Sequence, residues 1–381
     1  MNNDDLIHKW EIIKIKADLL CMGIRPNEVA EMIYKRQNPC HDWKTGNVGI
    51  HISLEGGSHV LVTISHSFDQ KSPYSIEFRE GNLDLLKDGT VVSEVIEVPM
   101  PNWYSKKTIT GALMPTFFLH EGKAFLHQAY AGCDLHSSGM QCKFCGTGSH
   151  WKIGEPIEIG KTVAEAVMEN PNYHVCLGGG TRLPLDHNVE YFSKCASEIR
   201  KRNSKVPIWI EMVPPEYNEG ISKLVEFGAT SFGFNIEIWT EKLREEICPG
   251  KFKMPKNRYL EAMEEALSIL GPNRVGTCLL VGLEPIESSV EGATALSSIG
   301  SQPCILPFKP WDKSLYRNLP PCNPEDLISV SETAVRAIIE NNILPEENQG
   351  CLLCEGCTID HDIYKLKIYE KGGSKNENSS S

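Results

Sequence analysis

The sequence predicts an α/β protein centred on a partial (βα)6, TIM-like barrel, with an N-terminal α+β extension and a C-terminal segment holding a cysteine cluster. Three observations predict this. From about residue 111, short apolar runs alternate with amphipathic helical stretches, the pattern of parallel β/α units. The apolar runs number six, too few for a closed eight-unit barrel. The 381 residues, 41% hydrophobic and 23% charged, follow ordinary globular usage and suffice for one barrel with added terminal pieces.

Residues 1–110 form the extension. Leu6, Ile12, Ile13, Ile15, Leu19 and Leu20 fit a helical stripe, and Pro26 to Lys35 a second short helix. VGIHISL and HVLVTIS, joined by EGGS, read as a hairpin, and no motif here carries recognisable chemistry. The barrel takes 111–322. FLHQAYAG is its first strand and TVAEAVMEN the helix after it; YHVCLGGG is the second strand, followed by the helix VEYFSKCASEIRKR. VPIWIEMV and GISKLVEFG form the third unit, SFGFNIEIW and NRYLEAMEEALSIL the fourth, and RVGTCLLVGLE and QPCILPFKPW are the last two strands. Residues 323–365 begin with a helix opened by Asn323-Pro324, with Glu325 and Asp326 in its first turn, where the helix dipole favours acids. A second cysteine cluster follows, and 366–381, ending KGGSKNENSSS, read as a disordered polar tail.

A formal charge of -12 argues against nucleic acid as the main partner, because such binding draws on clustered Lys and Arg. The one basic stretch, Lys194 to Lys205, reads as the solvated end of a helix. The chain has no apolar run of membrane-spanning length, and MNNDDLIHKWEIIKIK lacks the basic start and apolar middle of a signal peptide. The expectation is a cytoplasmic protein with no membrane partner. In a compartment that keeps thiols reduced, 14 cysteines are not a disulfide framework, so those that cluster point to metal ligation.

Cys133, Cys142 and Cys145 lie in AGCDLHSSGMQCKFCGTG, directly after the first barrel strand, at the strand end where active sites collect. The spacing C-x8-C-x2-C fits three thiolate ligands of an iron–sulfur cluster with one iron left open. It also fits a zinc site completed by His136 or His150, or three unligated thiols, and spacing does not choose among these. Gly178, Gly179 and Gly180, followed by Thr181, close the second strand, either as a plain turn or as a place where backbone meets a ligand. Glu211 ends the third strand and Asn235 and Glu237 the fourth, positions suited to a ligand or to satisfied surface groups.

With these residues in place, the sequence resembles the radical S-adenosylmethionine superfamily, in a biotin-synthase/lipoyl-synthase-like layout. The usual signature there is C-x3-C-x2-C with an aromatic residue before the last cysteine; here Phe144 precedes Cys145 and the first gap is eight. The resemblance runs from about 115 to 345 and implies a [4Fe-4S] cluster on Cys133, Cys142 and Cys145. It implies that the methionine amino and carboxylate groups of S-adenosyl-L-methionine chelate the fourth iron, and that reductive cleavage yields a 5′-deoxyadenosyl radical. By the same resemblance Phe144 lies by the adenine, Gly178–Thr181 meet the methionine amino group, and Glu211, Asn235 and Glu237 contact cofactor or substrate. Gly282, in the exit of the fifth strand, belongs to a motif that stacks against the adenine. The implied partners are a small-molecule substrate and a reductant such as ferredoxin or flavodoxin.

Cys351, Cys354 and Cys357 form a second triplet, C-x2-C-x2-C, which lacks the further Cys-Pro of bacterial ferredoxins. A fourth ligand could come from Cys322, Cys304 or a substrate; zinc, with His361 nearby, and free thiols are the other readings. In enzymes of the resembled superfamily, such a second iron–sulfur cluster serves as sulfur source, electron relay or substrate anchor. Cys21, Cys40, Cys176, Cys195, Cys248 and Cys278 are expected to pack as small apolar residues. The rival to an enzyme is a non-catalytic zinc or iron–sulfur protein in which the barrel only scaffolds the two centres.

Overall fold

The computed structural model describes residues 3–41, 49–64, 66–122, 124–128, 132–147 and 153–377. Helices α1 (Asn3–Met22) and α2 (Glu28–Gln37) come first, the second capped by the Asn27 side chain, which accepts from Ala30 N at 2.9 Å. Strands β1 (Ile50–Leu54), β2 (His59–Val62), β3 (Tyr74–Arg79), β4 (Asn82–Lys87) and β5 (Thr90–Glu97) form an antiparallel sheet in the order β2-β1-β5-β4-β3. The expected hairpin is present, with Ile50 opposite Val62 and Ile52 opposite Val60, and all four side chains are buried. Strands β3 to β5 add a meander beyond the expected hairpin, its outward positions mixing charged residues such as Glu77 and Arg79 with exposed apolar ones such as Phe78 and Ile96.

Next come β6 (Phe118–Glu121), β7 (Phe125–Gln128), α3 (Asp134–Ser137), α4 (Pro156–Glu169), β8 (His174–Gly178), α5 (Asp186–Arg200), β9 (Ile208–Glu211) and α6 (Glu219–Glu226). They are followed by β10 (Ser231–Gly233), α7 (Glu241–Ile247), α8 (Pro249–Phe252), α9 (Lys256–Leu270), β11 (Val275–Val281), α10 (Ile286–Ser298) and β12 (Gln302–Pro307). Strands β7 to β12 run parallel in sequence order and curl into a half-barrel; β6 joins the β7 edge antiparallel. The six parallel strands are those the sequence predicts, and β6 is an addition.

The fourth barrel strand is shorter than SFGFNIEIW suggests. After Gly233, the Asn235 side chain accepts from Cys278 N at 3.1 Å, and Glu237 takes a φ of +68° before one isolated bridge to Leu279. A side chain thus replaces a backbone acceptor, and the ladder ends. Helix α11 (Pro324–Glu340) has the expected cap, Asn323 accepting from Glu325 N at 3.0 Å. Helix α12 (Asp360–Glu377) runs into the stretch read as a polar tail; residues 378–381 lie outside the described ones.

Between α11 and α12 the chain turns under the half-barrel and closes its amino-terminal mouth. Gly350 N donates to His174 Nδ1 at 3.2 Å, at the start of β8, and the Arg274 guanidinium donates to Glu347 O at 2.7 Å, just before β11. Gly350 holds a φ of +67° against the Trp209 ring, where a Cβ would come within 2.5 Å of Cγ. Helix α1 fastens this segment from below: the buried Lys16 ammonium donates to Glu355 O at 2.8 Å and to Asp362 Oδ2 at 2.6 Å. Among the described residues no helix is long and apolar enough to cross a membrane.

Candidate functional site

Cys133 follows β7 and stands as the residue before the first turn of α3. Its loop is fastened to the turn after β8: Thr181 N points at Cys133 Sγ at 3.4 Å, Asp134 N donates to Thr181 O at 2.9 Å, and Leu183 N donates to Asp134 Oδ2 at 2.8 Å. Gly180 makes this junction possible, since a Cβ there would lie 2.6 Å from Cys133 Cβ and closer still to Gly132 O. Gly178 is needed in the same way against Glu211, whose Cβ would be 2.9 Å from an added Cβ. Gly179, between them, is exposed. The glycines therefore bring protein to protein at their two outer positions and leave open backbone at the middle one.

The eight-residue gap has a structural use. It is occupied by α3 and a turn that dock on the helices after the fourth strand: Lys143 N donates to Ile247 O at 2.8 Å and Gly250 N to Met140 O at 3.0 Å. Cys145 N then donates to Cys142 O at 3.1 Å, and Thr147 N approaches Cys145 Sγ at 3.4 Å. Phe144 is half-buried and packs on the edge of the main core.

Burial pushes the Cys133 thiol up and the Cys145 thiol up to about 11, with the neighbouring cysteines of the set adding to both. Cys142 is raised furthest, first by its hydrogen bond with Cys248 and then by burial. The Lys251 ammonium pulls Cys133 and Cys142 the other way. The Cys133 loop and the Cys142–Cys145 turn both lie at the carboxyl ends of the strands, the first fastened to the turn after β8 and the second to α7 and α8. Lys251 Nζ pairs with Glu237 Oε1 at 2.7 Å and donates to Asn235 O at 3.2 Å. Burial disfavours the charge on Lys251, but Glu237 outweighs it and holds the ammonium well above its ordinary range. Glu211 is raised mainly by burial and also by Glu237, while His127 and Lys251 oppose the shift.

The donor set suits a four-iron cluster. Among the described residues no three His, Cys, Asp or Glu side chains converge as ligands of one ion would, but a cluster takes each thiolate on a different iron and needs no such convergence. For the zinc alternative, His136 Nε2 is buried without a hydrogen-bond partner, and His150 lies outside the described residues.

Of the other expected site residues, Asn235 spends its side chain on the Cys278 amide and Gly282 packs against Cys322, with 3.1 Å between an added Cβ and Cys322 Cβ. Glu284, next in the fifth-strand exit, accepts from Trp239 N at 3.0 Å and Thr240 N at 2.9 Å and so opens α7. Sequence reasoning missed Lys251 and His127. Lys251 carries no local signal, whereas His127 is one of the inward positions of β7.

The second triplet enters the barrel interior. Cys351 and Cys354 pack with Leu352 against Phe125, Cys176, Trp209, Cys278 and Cys304, a group separate from the main core. Cys354 Sγ stands 3.9 Å from Glu121 Oε2, and Glu121 pairs with His127 Nδ1 at 3.1 Å. Cys176 and Cys278, expected as plain core residues, thus belong to a thiol-lined interior. Cys322 does not join it: it lies against Gly282 and hydrogen-bonds with Cys21 on α1.

Residues 129–291 match the family model described as the Radical SAM superfamily. This chain carries a radical SAM domain. The matched segment holds the first cysteine triplet, the Gly178–Thr181 turn, Glu211, Asn235, Glu237 and Gly282, and ends before the second triplet. A curated relative, bacteriochlorophyllide c C-7(1)-hydroxylase of Chlorobaculum limnaeum, is 28% identical over 234 residues, which make up 54% of this chain and 57% of the relative. The chain thus matches a little over half the length of that protein. Similar solved structures include methylornithine synthase (16% identity, TM-score 0.48, 63% of this chain and 68% of that one). Another is HydG, a maturase of the [FeFe]-hydrogenase (17%, TM-score 0.45, 56% and 49%). A third is a radical SAM methyltransferase from Sphaerobacter thermophilus (13%, TM-score 0.44, 72% and 76%).

Proposed function

We propose that this radical SAM domain cleaves S-adenosylmethionine and takes a hydrogen atom from a C–H bond of a small substrate held in the barrel. The observation that carries the reading is the junction of the Cys133 loop with the Gly178–Thr181 turn, inside the matched segment and at the carboxyl ends of the strands. Cys133, Cys142 and Cys145 would hold the four-iron cluster, which would supply the one electron needed to split S-adenosylmethionine into methionine and a 5′-deoxyadenosyl radical, released as 5′-deoxyadenosine once hydrogen is taken from the substrate.

The chain's own residues position and enclose. Gly179 offers open backbone beside the cysteine loop for the methionine amino group, with Thr181 next to it and Phe144 suited to the adenine side. The Lys251–Glu237 pair offers a fixed cation and anion at the same mouth, and Glu211 and His127 line the space below it. The C-terminal segment shuts the opposite end of the barrel and so limits water at the radical. The hydroxylase relative, which by its name acts on one carbon of a bacteriochlorophyllide, favours a C–H bond of a small molecule as the target. A low-potential one-electron donor of the ferredoxin or flavodoxin kind, in a reducing cytoplasm, completes the system. Cys351, Cys354 and Cys357 hold a second iron–sulfur cluster.

The test is anaerobic reconstitution with iron and sulfide, followed by assay of 5′-deoxyadenosine under dithionite. The parent should release it, and a variant with Cys133, Cys142 and Cys145 all changed to alanine should lose one cluster and all cleavage. The rival reading is a structural zinc site of three cysteines and one histidine, for which the four ligands would have to close on one ion. Protein purified without oxygen that contains zinc and neither iron nor sulfide would establish that reading instead.

A further inference from the structure

We propose that Cys278, on the inner face of β11, is the fourth protein ligand of the second cluster, which then lies inside the barrel, closed by four thiolates. This rests on the reading that Cys351, Cys354 and Cys357 bind an iron–sulfur cluster.

Alternate residues of a strand share a face, so Gly276 and Cys278 point to the same side of β11. That side is the interior, because the Leu352 side chain occupies the space where a Gly276 Cβ would be. Leu352 is flanked by Cys351 and follows Gly350, which is locked against Trp209 of β9. The triplet is therefore delivered beside Gly276, and the next inward position on that strand is a cysteine, one step of about 7 Å further into the barrel. Cys278 packs in the same group as Cys351 and Cys354.

Three strand cysteines share this interior, and exposure separates them. Cys176 and Cys304 are buried at 1% and 6%, whereas Cys278 keeps accessible surface, as do Cys351, Cys354 and Cys357. Cys278, Cys351 and Cys354 pack in one interior group with Cys176 and Cys304, and the first three keep accessible thiols, with Cys357 three residues further along the same turn. Cys304, paired with Cys278 across the β11–β12 ladder, stands beside it on the same face and hydrogen-bonds to it, but its thiol is covered. Thiolates in this number, in a dry interior, suit iron–sulfur chemistry. Four of them leave no iron open, so this cluster does not bind substrate directly, unlike the one on Cys133, Cys142 and Cys145.

The experiment uses the full chain carrying the Cys133→Ala, Cys142→Ala and Cys145→Ala changes, in which any remaining cluster belongs to the second centre. After reconstitution and removal of small thiols it should hold about four irons per chain. Adding Cys278→Ala should reduce this to about three or fewer and produce a three-iron signal by electron paramagnetic resonance, whereas adding Cys176→Ala or Cys304→Ala should leave iron unchanged. Cys278→Ser, close in size, covers the case in which the alanine variant misfolds by circular dichroism: it should keep iron with an altered spectrum, since oxygen replaces sulfur on one iron. Four irons with unaltered spectra in both Cys278 variants, or iron loss on removing Cys304 and not Cys278, overturns this ligand alone. No iron in the starting triple variant overturns the second cluster itself.

Discussion

Gly180→Ala tests whether the glycine turn positions the cysteine loop. An added Cβ would lie 2.6 Å from Cys133 Cβ, and ordinary contact begins at 3.4 Å, so the loop must withdraw by at least about 0.8 Å. It must withdraw further at Gly132 O, which is closer. Both obstacles are backbone or first side-chain atoms, so no flexible tip can swing away. Overpacking of this kind costs about 1–3 kcal/mol, tolerable for a protein of this size. A shift of about 1 Å at a reacting centre costs on the order of 100-fold in rate. The variant should therefore fold, with a lower urea midpoint, and release 5′-deoxyadenosine about 100-fold more slowly under dithionite. It should also lose the Thr181 amide contact to Cys133 Sγ, which will show as a changed cluster spectrum. Folded Gly180→Ala with parental iron, spectrum and cleavage rate would refute the reasoning and return the three glycines to a plain turn.

Replacing Cys351, Cys354 and Cys357 together by alanine should leave about half the parental iron and slow, uncoupled release of 5′-deoxyadenosine; iron equal to the parent's would show that the triplet holds none. Lys251→Met leaves the Glu237 carboxylate without its partner in a largely enclosed site, and should lower the unfolding free energy by about 3 kcal/mol. Adding Glu237→Gln should restore part of it, and urea titrations of the single and double variants that simply add would remove the pair from the argument. Burial raises the Asp360 carboxyl from its ordinary 3.8 to about 6, so the folded protein holds a proton there that the unfolded chain releases. Stability from this group is full below about pH 4 and falls as pH rises toward 6. Asp360→Asn should flatten that slope in urea midpoints taken from pH 4 to 7, and an unchanged slope would count against the shift.

Sequence alone determined the local order. Apolar runs and helical stripes report on neighbours within a few residues, and they placed the β1–β2 hairpin, the Asn323 cap and the six parallel strands in their order. The clustering of Cys133, Cys142 and Cys145 after a strand was also legible, because three thiols within thirteen residues stand out in the local sequence. The shortened fourth strand was not, since Asn235 reads as an ordinary strand-end polar residue until the Cys278 amide stands opposite it.

Tertiary structure decided which distant residues meet. Gly180 binds the loop of Cys133, Lys251 reaches Glu237, and Cys278 turns inward beside a triplet more than seventy residues later in the chain. A cysteine in an apolar strand carries the same local pattern whether it faces a helix layer or the interior of a barrel. The face is set by strand register and by the curl of the sheet, and the neighbour across the interior by where the C-terminal segment enters. Both arise from packing over the whole chain, which is why spacing singled out the two cysteine triplets while only the fold showed what surrounds them.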